Sequence, residues 1–394
     1  MDSASELLAA RAKVVAVAGA VLGLAATFAV QGLVFRPNRI APGEASALID
    51  ALGAWGVALA TVWVCAGGLA LSPLPQRWRG GAVTLLGGLA AVVCLLGSGL
   101  AATAYAEVAG DIARTSLGWG VWLNLFAAYT VVFAATAWLR PGLLRAALAY
   151  LPIVAVVVLA VNSVFSQLGV AREYANNAES FWREFNLHLA YVAGATAVGL
   201  GAGLALGLLA AKRPRTEPVI FGSLNVLQVL PTLAFVGLLN PLLSGLAARI
   251  DLLDSMGVRG VGWAPVLIVL SSYAVYPIAR NTHAAVVSLD REIVDAARGV
   301  GMSRLQVLAR VELPLSLPVI VAGLRVALVQ STAGAIIAGL VGGGGLGLFV
   351  FLGASETAGD LILLGVLPIA ALAILFDRVA LAAQQAFGYG GTVE

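Results

Sequence analysis

Side chains able to do covalent or metal chemistry are sparse in this chain: two histidines, two cysteines and two lysines among 394 residues. Cys65 and Cys94 lie in uncharged stretches with no Cys-x-x-Cys spacing, which predicts small core or lipid-facing residues rather than a disulfide or a metal site. His188 and His283 each stand alone, so interfacial hydrogen bonding is expected of them, not ligation. Lys13 and Lys212 both follow alanines, so no Gly-x4-Gly-Lys phosphate loop is present and the chain is not expected to hydrolyse ATP itself. No catalytic residue, metal or cofactor is expected within it.

Recognition is the chemistry that the spacing does suggest. Between Asn281 and Pro318 the charges alternate in sign, Asp290, Glu292, Asp295 and Glu312 against Arg291, Arg298, Arg304 and Arg310. Leu289 to Val300 reads as a helix with Ile293, Ala296, Ala297 and Val300 on one face, and Gly301 supplies a left-handed stop. Ser303 and Gln306 form a Ser-x-x-Gln capping box that starts a second helix, and Leu313-Pro314 is expected to end it. A helix, a glycine turn and a second helix could be mistaken for a DNA reader, but the acidic residues oppose the arginines and both ends enter apolar segments, so no nucleic-acid partner is expected. A rigid two-helix knob fits a protein docking element.

The elements that must carry this knob are membrane helices. Apolar residues make up 60% and charged residues only 11% of the chain, against about 25% charged in a soluble domain, which excludes both a soluble globular protein and a disordered one. A bilayer core needs about 20 helical residues, and ten uncharged runs approach that length: 14–35, 51–72, 82–104, 118–139, 146–166, 187–211, 219–239, 263–280, 319–341 and 361–383. The last is interrupted by Asp377 and Arg378. The expected fold is all-α, a polytopic helical bundle, with Gly199, Gly201, Gly203 and Gly207 allowing close helix approach. With the amino terminus inside, inner segments hold roughly twice as many arginines and lysines as outer ones, which predicts both termini in the cytoplasm. The first run is longer than a secretory signal core and lacks a cleavage pattern, so it is read as a span.

Two long outer loops, 167–186 and 240–262, divide the spans into five and five. The expected division is 1–170, an amino-terminal extension of unknown role, and 171–394, a second set of five spans with the inner loop 281–318. Asn225, Gln228, Gln330, Ser331 and Thr332 are the polar residues of the inner spans expected to line a pathway, with interhelical hydrogen bonding as the alternative. The run Gly342, Gly343, Gly344 and Gly345 permits irregular backbone, read as a bend beside that pathway, with a plain flexible outer loop as the alternative. Arg325 is expected to snorkel to lipid phosphates, with a role in the pathway as the alternative. No carboxylate falls mid-span, which argues against an ion-coupled secondary transporter.

Asp295-Ala296-Ala297, three residues, Gly301, nine residues and Val311-Glu312-Leu313-Pro314 resemble the EAA signature of permease subunits in ATP-binding cassette importers, with Asp for Glu and Val for Ile. The segments Pro277-Ile278-Ala279-Arg280-Asn281-Thr282, Leu230-Pro231-Thr232-Leu233-Ala234 and Val341 to Gly347 are similar to those of the osmoprotectant permeases for glycine betaine, choline or carnitine. This resemblance covers about 187–385, and the first five spans are similar to the longer-chain subgroup. It implies a type I importer permease core of about five spans in the bacterial inner membrane. Asp295, Ala296, Ala297 and Gly301 would form the contact with the ATPase, and Leu313 and Pro314 would orient the loop's exit. The implied partners are two cytoplasmic ATPase subunits, which would carry ATP and Mg, an extracytoplasmic substrate-binding protein, and a second copy or sister permease, within lipid. The implied substrate is a quaternary ammonium osmoprotectant; methionine, taurine and nitrate importers share the loop architecture and give the alternative.

Overall fold

The computed structural model of the protein describes residues 2–39, 41–110 and 112–387. It comprises two compact units, Met1–Asn176 and Asn177–Glu394. Nine described helices are long and apolar enough to cross a membrane, or ten if one sharply bent pair counts as a single span.

The first unit contains α1 (Asp2–Ala29), β1 (Gln31–Arg36), β2 (Glu44–Ala47), α2 (Leu48–Leu52), α3 (Ala54–Leu71), α4 (Gln76–Ala109), β3 (Arg114–Leu117), α5 (Trp119–Thr136) and α6 (Leu143–Val161). The strands form a small antiparallel sheet in the order β2-β1-β3, an addition to the all-helical expectation. β2 and β3 lie in connections that a search for span-length apolar runs passes over, whereas β1 takes up the end of the expected span 14–35, whose helix stops at Ala29. The core holds a polar knot. Asn124 Oδ1 accepts from Trp63 Nε1 at 2.7 Å and from Thr27 Oγ1 at 3.3 Å, while Asn124 Nδ2 donates to the Gly120 carbonyl at 2.9 Å. All three side chains are buried, and each bond removes an unsatisfied polar group that would be expensive there. Trp63 fits because Gly23 has no side chain where its ring lies.

The second unit begins within α7 (Gly169–Lys212) and continues through α8 (Glu217–Val229), α9 (Thr232–Ala247), α10 (Asp251–Ser255), α11 (Trp263–Val287), α12 (Arg291–Gly299), α13 (Arg304–Val307), α14 (Leu313–Gly334), α15 (Gly347–Ser355) and α16 (Gly359–Phe387). Residues 169–186, expected as loop, are the polar start of α7, interrupted only at Asn177 (φ −122°, ψ 17°). Charged residues end an apolar run without ending a helix, and the expectation had equated the two.

The expected straight span 219–239 is also corrected. The chain bends by 103° between the helical segments Pro214–Val229 and Thr232–Ala247, because Pro231 has no N–H to continue the ladder and pushes Leu230 into extended geometry. Tyr273 of α11 donates its hydroxyl to the freed Leu230 carbonyl at 2.6 Å.

Close packing of α7 on α11 runs through Gly199, Gly203 and Gly207. A Cβ on these would sit 2.6 Å from Ala274 Cβ, 2.8 Å from Ile278 Cβ and 2.6 Å from the Ala279 carbonyl oxygen. Gly201, expected with them, faces open space; a spacing of four keeps one helix face and a spacing of two leaves it.

Candidate docking loop and transport pathway

The loop expected over 281–318 is shorter, because α11 continues to Val287 and α14 begins at Leu313, and it forms two capped helices. Asp290 caps α12 by accepting from the Glu292 N–H at 2.9 Å. Gly301 takes φ +89°, and its N–H and that of Met302 close back onto the carbonyls of Arg298 (2.9 Å) and Ala297 (3.2 Å). The capping box is present in full: the Ser303 N–H donates to Gln306 Oε1 at 2.8 Å and the Gln306 N–H to Ser303 Oγ at 3.4 Å. The observed α12 starts two residues later than the periodicity suggested, because Asp290 serves as cap instead of helix.

The two alanines differ in exposure. Ala297 is buried, whereas Ala296 is exposed beside Ile293 (47% exposed) and Val300 (78%), with Leu305 (73%) at the start of the second helix. Asp295 is exposed and pairs with Arg298 at 3.2 Å. An apolar strip uncovered on a charged helix is a surface suited to a protein partner.

Leu313-Pro314 does not end the second helix. Leu308–Glu312 widens into a π-turn between α13 and α14, and the helix continues to Gly334. The wider turn accommodates a proline ring that would otherwise crowd the carbonyl four residues earlier. Glu312 in that turn is 3% exposed, and both its carboxylate oxygens accept from Lys212 Nζ at 2.5 Å. This bond ties the loop's exit to the end of α7. Sequence reading missed it; Lys212, alone among lysines in this unit, was the available signal.

The glycine run is a closed turn rather than an open loop. Gly342, Gly344 and Gly345 all have φ between +71° and +78°, conformations favourable to glycine. Three residues one helical face apart on α7 border this region. Glu184 accepts from the Gly345 N–H at 2.7 Å, His188 Nε2 meets the Thr332 carbonyl at 3.1 Å, and Tyr191 donates to the Gly343 carbonyl at 2.6 Å. All three are buried. A Cβ at Gly344 would lie 2.6 Å from Glu184 Oε2. His188, expected at an interface, is thus an interior residue. His283 does lie near a carboxylate, with Nε2 3.6 Å from Glu217 and the ring edge-on to Phe221.

The polar residues expected along the pathway separate. Asn225 is exposed; Gln228 donates to the Tyr273 carbonyl at 2.8 Å and accepts from Gln330 Nε2 at 3.4 Å. Ser331 and Thr332 are buried in helix packing and so line no open surface of this chain. Arg325 has a partner that the snorkelling expectation did not include: its Nε donates to Asp377 Oδ1, a carboxylate on α16, at 2.6 Å. The two residues are 52 positions apart, and no local pattern joins them.

Comparison with known proteins agrees with this architecture. Residues 203–388 match the family described as binding-protein-dependent transport system inner membrane component, and residues 11–171 match the ABC transporter permease YehY, N-terminal domain. The carnitine transport permease protein OpuCB of Listeria monocytogenes is 34% identical over 48% of this chain and 80% of its own length. The glycine betaine/carnitine/choline transport system permease protein OpuCD of Bacillus subtilis is 34% identical over 55% and 87%. The osmoprotectant import permease protein OsmW of Salmonella typhimurium is 35% identical over 48% and 83%. With its signature loop, its membrane helices and these relatives, the chain belongs to the binding-protein-dependent transport system inner membrane component family, as a multi-pass membrane permease subunit.

Proposed function

We propose that the protein is the permease of an ATP-driven importer for quaternary ammonium osmoprotectants such as glycine betaine, carnitine or choline, the solutes named for its relatives. Residues 171–394 form the transport core, and 1–170 are an added membrane unit. The permease lies in the bacterial inner membrane with both termini in the cytoplasm and pairs with a second copy or a sister permease. An extracytoplasmic binding protein delivers the solute. The chain itself carries no cofactor; ATP and Mg are bound by two cytoplasmic ATPase subunits.

The observation that carries this reading is the exposed strip of α12, Ile293, Ala296 and Val300, presented beside the left-handed Gly301. It supports seating of the loop in a cleft of the ATPase subunit: small Ala296 permits close approach, Asp295 offers a charge at the rim, and Gly301 fixes the angle between the two helices. The Lys212–Glu312 bond makes the loop's exit continuous with α7 and α14, so displacement of the loop on ATP-driven closure is transmitted into the membrane.

The test is ATP-dependent uptake of radiolabelled glycine betaine, choline, proline and methionine into vesicles holding the permease, its ATPase and its binding protein. No atom lies within 4 Å of a Cβ built on Gly301, so Gly301→Trp is expected to strain the backbone by about 1–2 kcal/mol while placing an indole on the docking face. Betaine uptake lost in that variant, with the permease still inserted, is the expected outcome. Uptake of methionine instead of betaine would replace the substrate class, and ATP-independent uptake untouched by the variant would remove the importer reading.

A further inference from the structure

Among the described spans of the first unit, α6 alone has no buried residue. It leans on α4 at two points: the Pro152 ring covers Gly88, and Leu148 Cδ1 lies 3.9 Å from a Cβ built on Gly81. Residue numbers rise together across these contacts, so the two helices run in the same direction. Between them lies a groove of about 290 Å³ with a wholly apolar wall, formed by Leu85, Leu89 and Val92 of α4 and Leu148, Leu151 and Ala155 of α6, among others. Each lining stripe continues, at helical spacing, to a cation. On α4 the positions 92, 88 and 85 lead through 81 to Arg77; on α6 the positions 155, 152 and 148 lead to Arg145. Both arginines therefore stand a turn beyond the Gly81–Leu148 contact, and helical side chains lean toward the helix start, here outward past the groove's mouth. Neither makes a hydrogen bond or an ion pair among the described residues; Arg77 only lies 5.7 Å from the Trp78 ring. Arg79, by contrast, is used within the fold, donating to the Ser72 carbonyl at 3.3 Å and lying 4.6 Å over the Trp138 ring. Between residues 51 and 172 the only acidic residues are Glu107 and Asp111, in and after the opposite end of α4. Asp2 and Glu6 belong to α1, which packs on α3 and α5.

We propose that this groove and its two arginines bind an anionic phospholipid, with an acyl chain along the groove and the phosphate held at its mouth by Arg77 and Arg145. The reading concerns the added membrane unit and does not depend on the solute imported. Both walls belong to membrane spans, so hydrocarbon is the natural filling, and two cations without a carboxylate partner at the mouth call for an anion. Guanidinium forks suit phosphate by paired, charge-assisted hydrogen bonds. A zwitterionic lipid carries its own ammonium to the same place, where two arginines repel it; phosphatidylglycerol brings only the negative charge. With the amino terminus inside, this end lies in the cytoplasmic leaflet, whose surface potential is negative. A second copy is the poorer occupant, since the same face would bring more arginine and no carboxylate. The bound chain packs against α6 where the protein's own side chains leave it uncovered, so the lipid should also stabilise the fold.

The test places the full chain in nanodiscs of equal parts phosphatidylglycerol and phosphatidylethanolamine and counts, by native mass spectrometry, the lipids it keeps on release. The wild type should retain phosphatidylglycerol in preference, by about fivefold for each arginine engaged. Arg77→Gln/Arg145→Gln changes two side chains outside the core; it should unfold at the wild-type temperature in lipid-free detergent and lose the preference. Ala155→Trp, which fills the groove and leaves both charges in place, should retain less phosphatidylglycerol. Added phosphatidylglycerol should raise the unfolding temperature of the wild type in detergent and leave that of both variants unchanged. Equal retention of the two lipids by the wild type, or a preference that survives in Arg77→Gln/Arg145→Gln, would overturn the proposal. Full retention in Ala155→Trp would overturn it too, because the arginines would then hold a headgroup without the groove. A changed oligomeric state in Ala155→Trp, with retention intact, would put a second copy there instead of a lipid.

Discussion

Single side chains set the shape of the glycine turn, and their removal should be measurable. Tyr191→Phe deletes the hydroxyl bonded to the Gly343 carbonyl and leaves that acceptor buried; a loss of about 1–3 kcal/mol is expected, read as a lower unfolding temperature in detergent. Gly344→Ala should destabilise as well, since the new methyl both enters a left-handed backbone position and meets Glu184 Oε2 and Leu187 Cδ2 at 2.6 and 2.8 Å. An unchanged unfolding temperature in both variants would show the turn to be held by something other than α7. At the loop's exit, Lys212→Met strands the Glu312 carboxylate in its buried site. About 1.5–3 kcal/mol of stability should be lost, less than for a fully buried pair because Lys212 is half exposed; Lys212→Met/Glu312→Gln should recover most of it.

Helix faces decide which glycines matter. Gly203→Ala drives a methyl into Ile278 and should cost about 1–3 kcal/mol by overpacking, whereas Gly201→Ala, two residues away, meets no atom within 4 Å and should be neutral. Equal effects in thermal unfolding would refute the α7–α11 seam. The proline-bearing elements differ in a way that composition does not reveal. Pro231 produces a 103° bend, while Pro277, Pro318 and Pro368 sit inside helices that continue through them. The difference lies in what accepts the displaced backbone: at Leu230 the carbonyl finds Tyr273, a partner from another helix. The glycine stop after α12 and the capping box of α13, by contrast, were legible beforehand, because Gly301, Ser303 and Gln306 act on their own neighbours in sequence; the Asp290 cap was not, since the apolar periodicity ran through it.

For the assembled molecule the docking loop predicts a surface that a partner covers. A Val300→Cys substitution in a Cys65→Ser background, which leaves only the buried Cys94 besides the new thiol, should be labelled by a membrane-impermeant maleimide added from the cytoplasmic side. Binding of the ATPase subunit should protect it; labelling only from the opposite side would invert the orientation. Membrane class, the family and the capped helices of the loop were legible in the sequence alone, since apolar runs of bilayer length, capping residues and a contiguous signature all act over short stretches of chain; whether the bent pair counts as one span was decided by the fold. The interior partners were decided by the tertiary structure. Glu184 with Gly345, Lys212 with Glu312 and Arg325 with Asp377 are separated by 161, 100 and 52 positions, and whether a charge in a span meets lipid, water or another charge depends on which helix lies beside it.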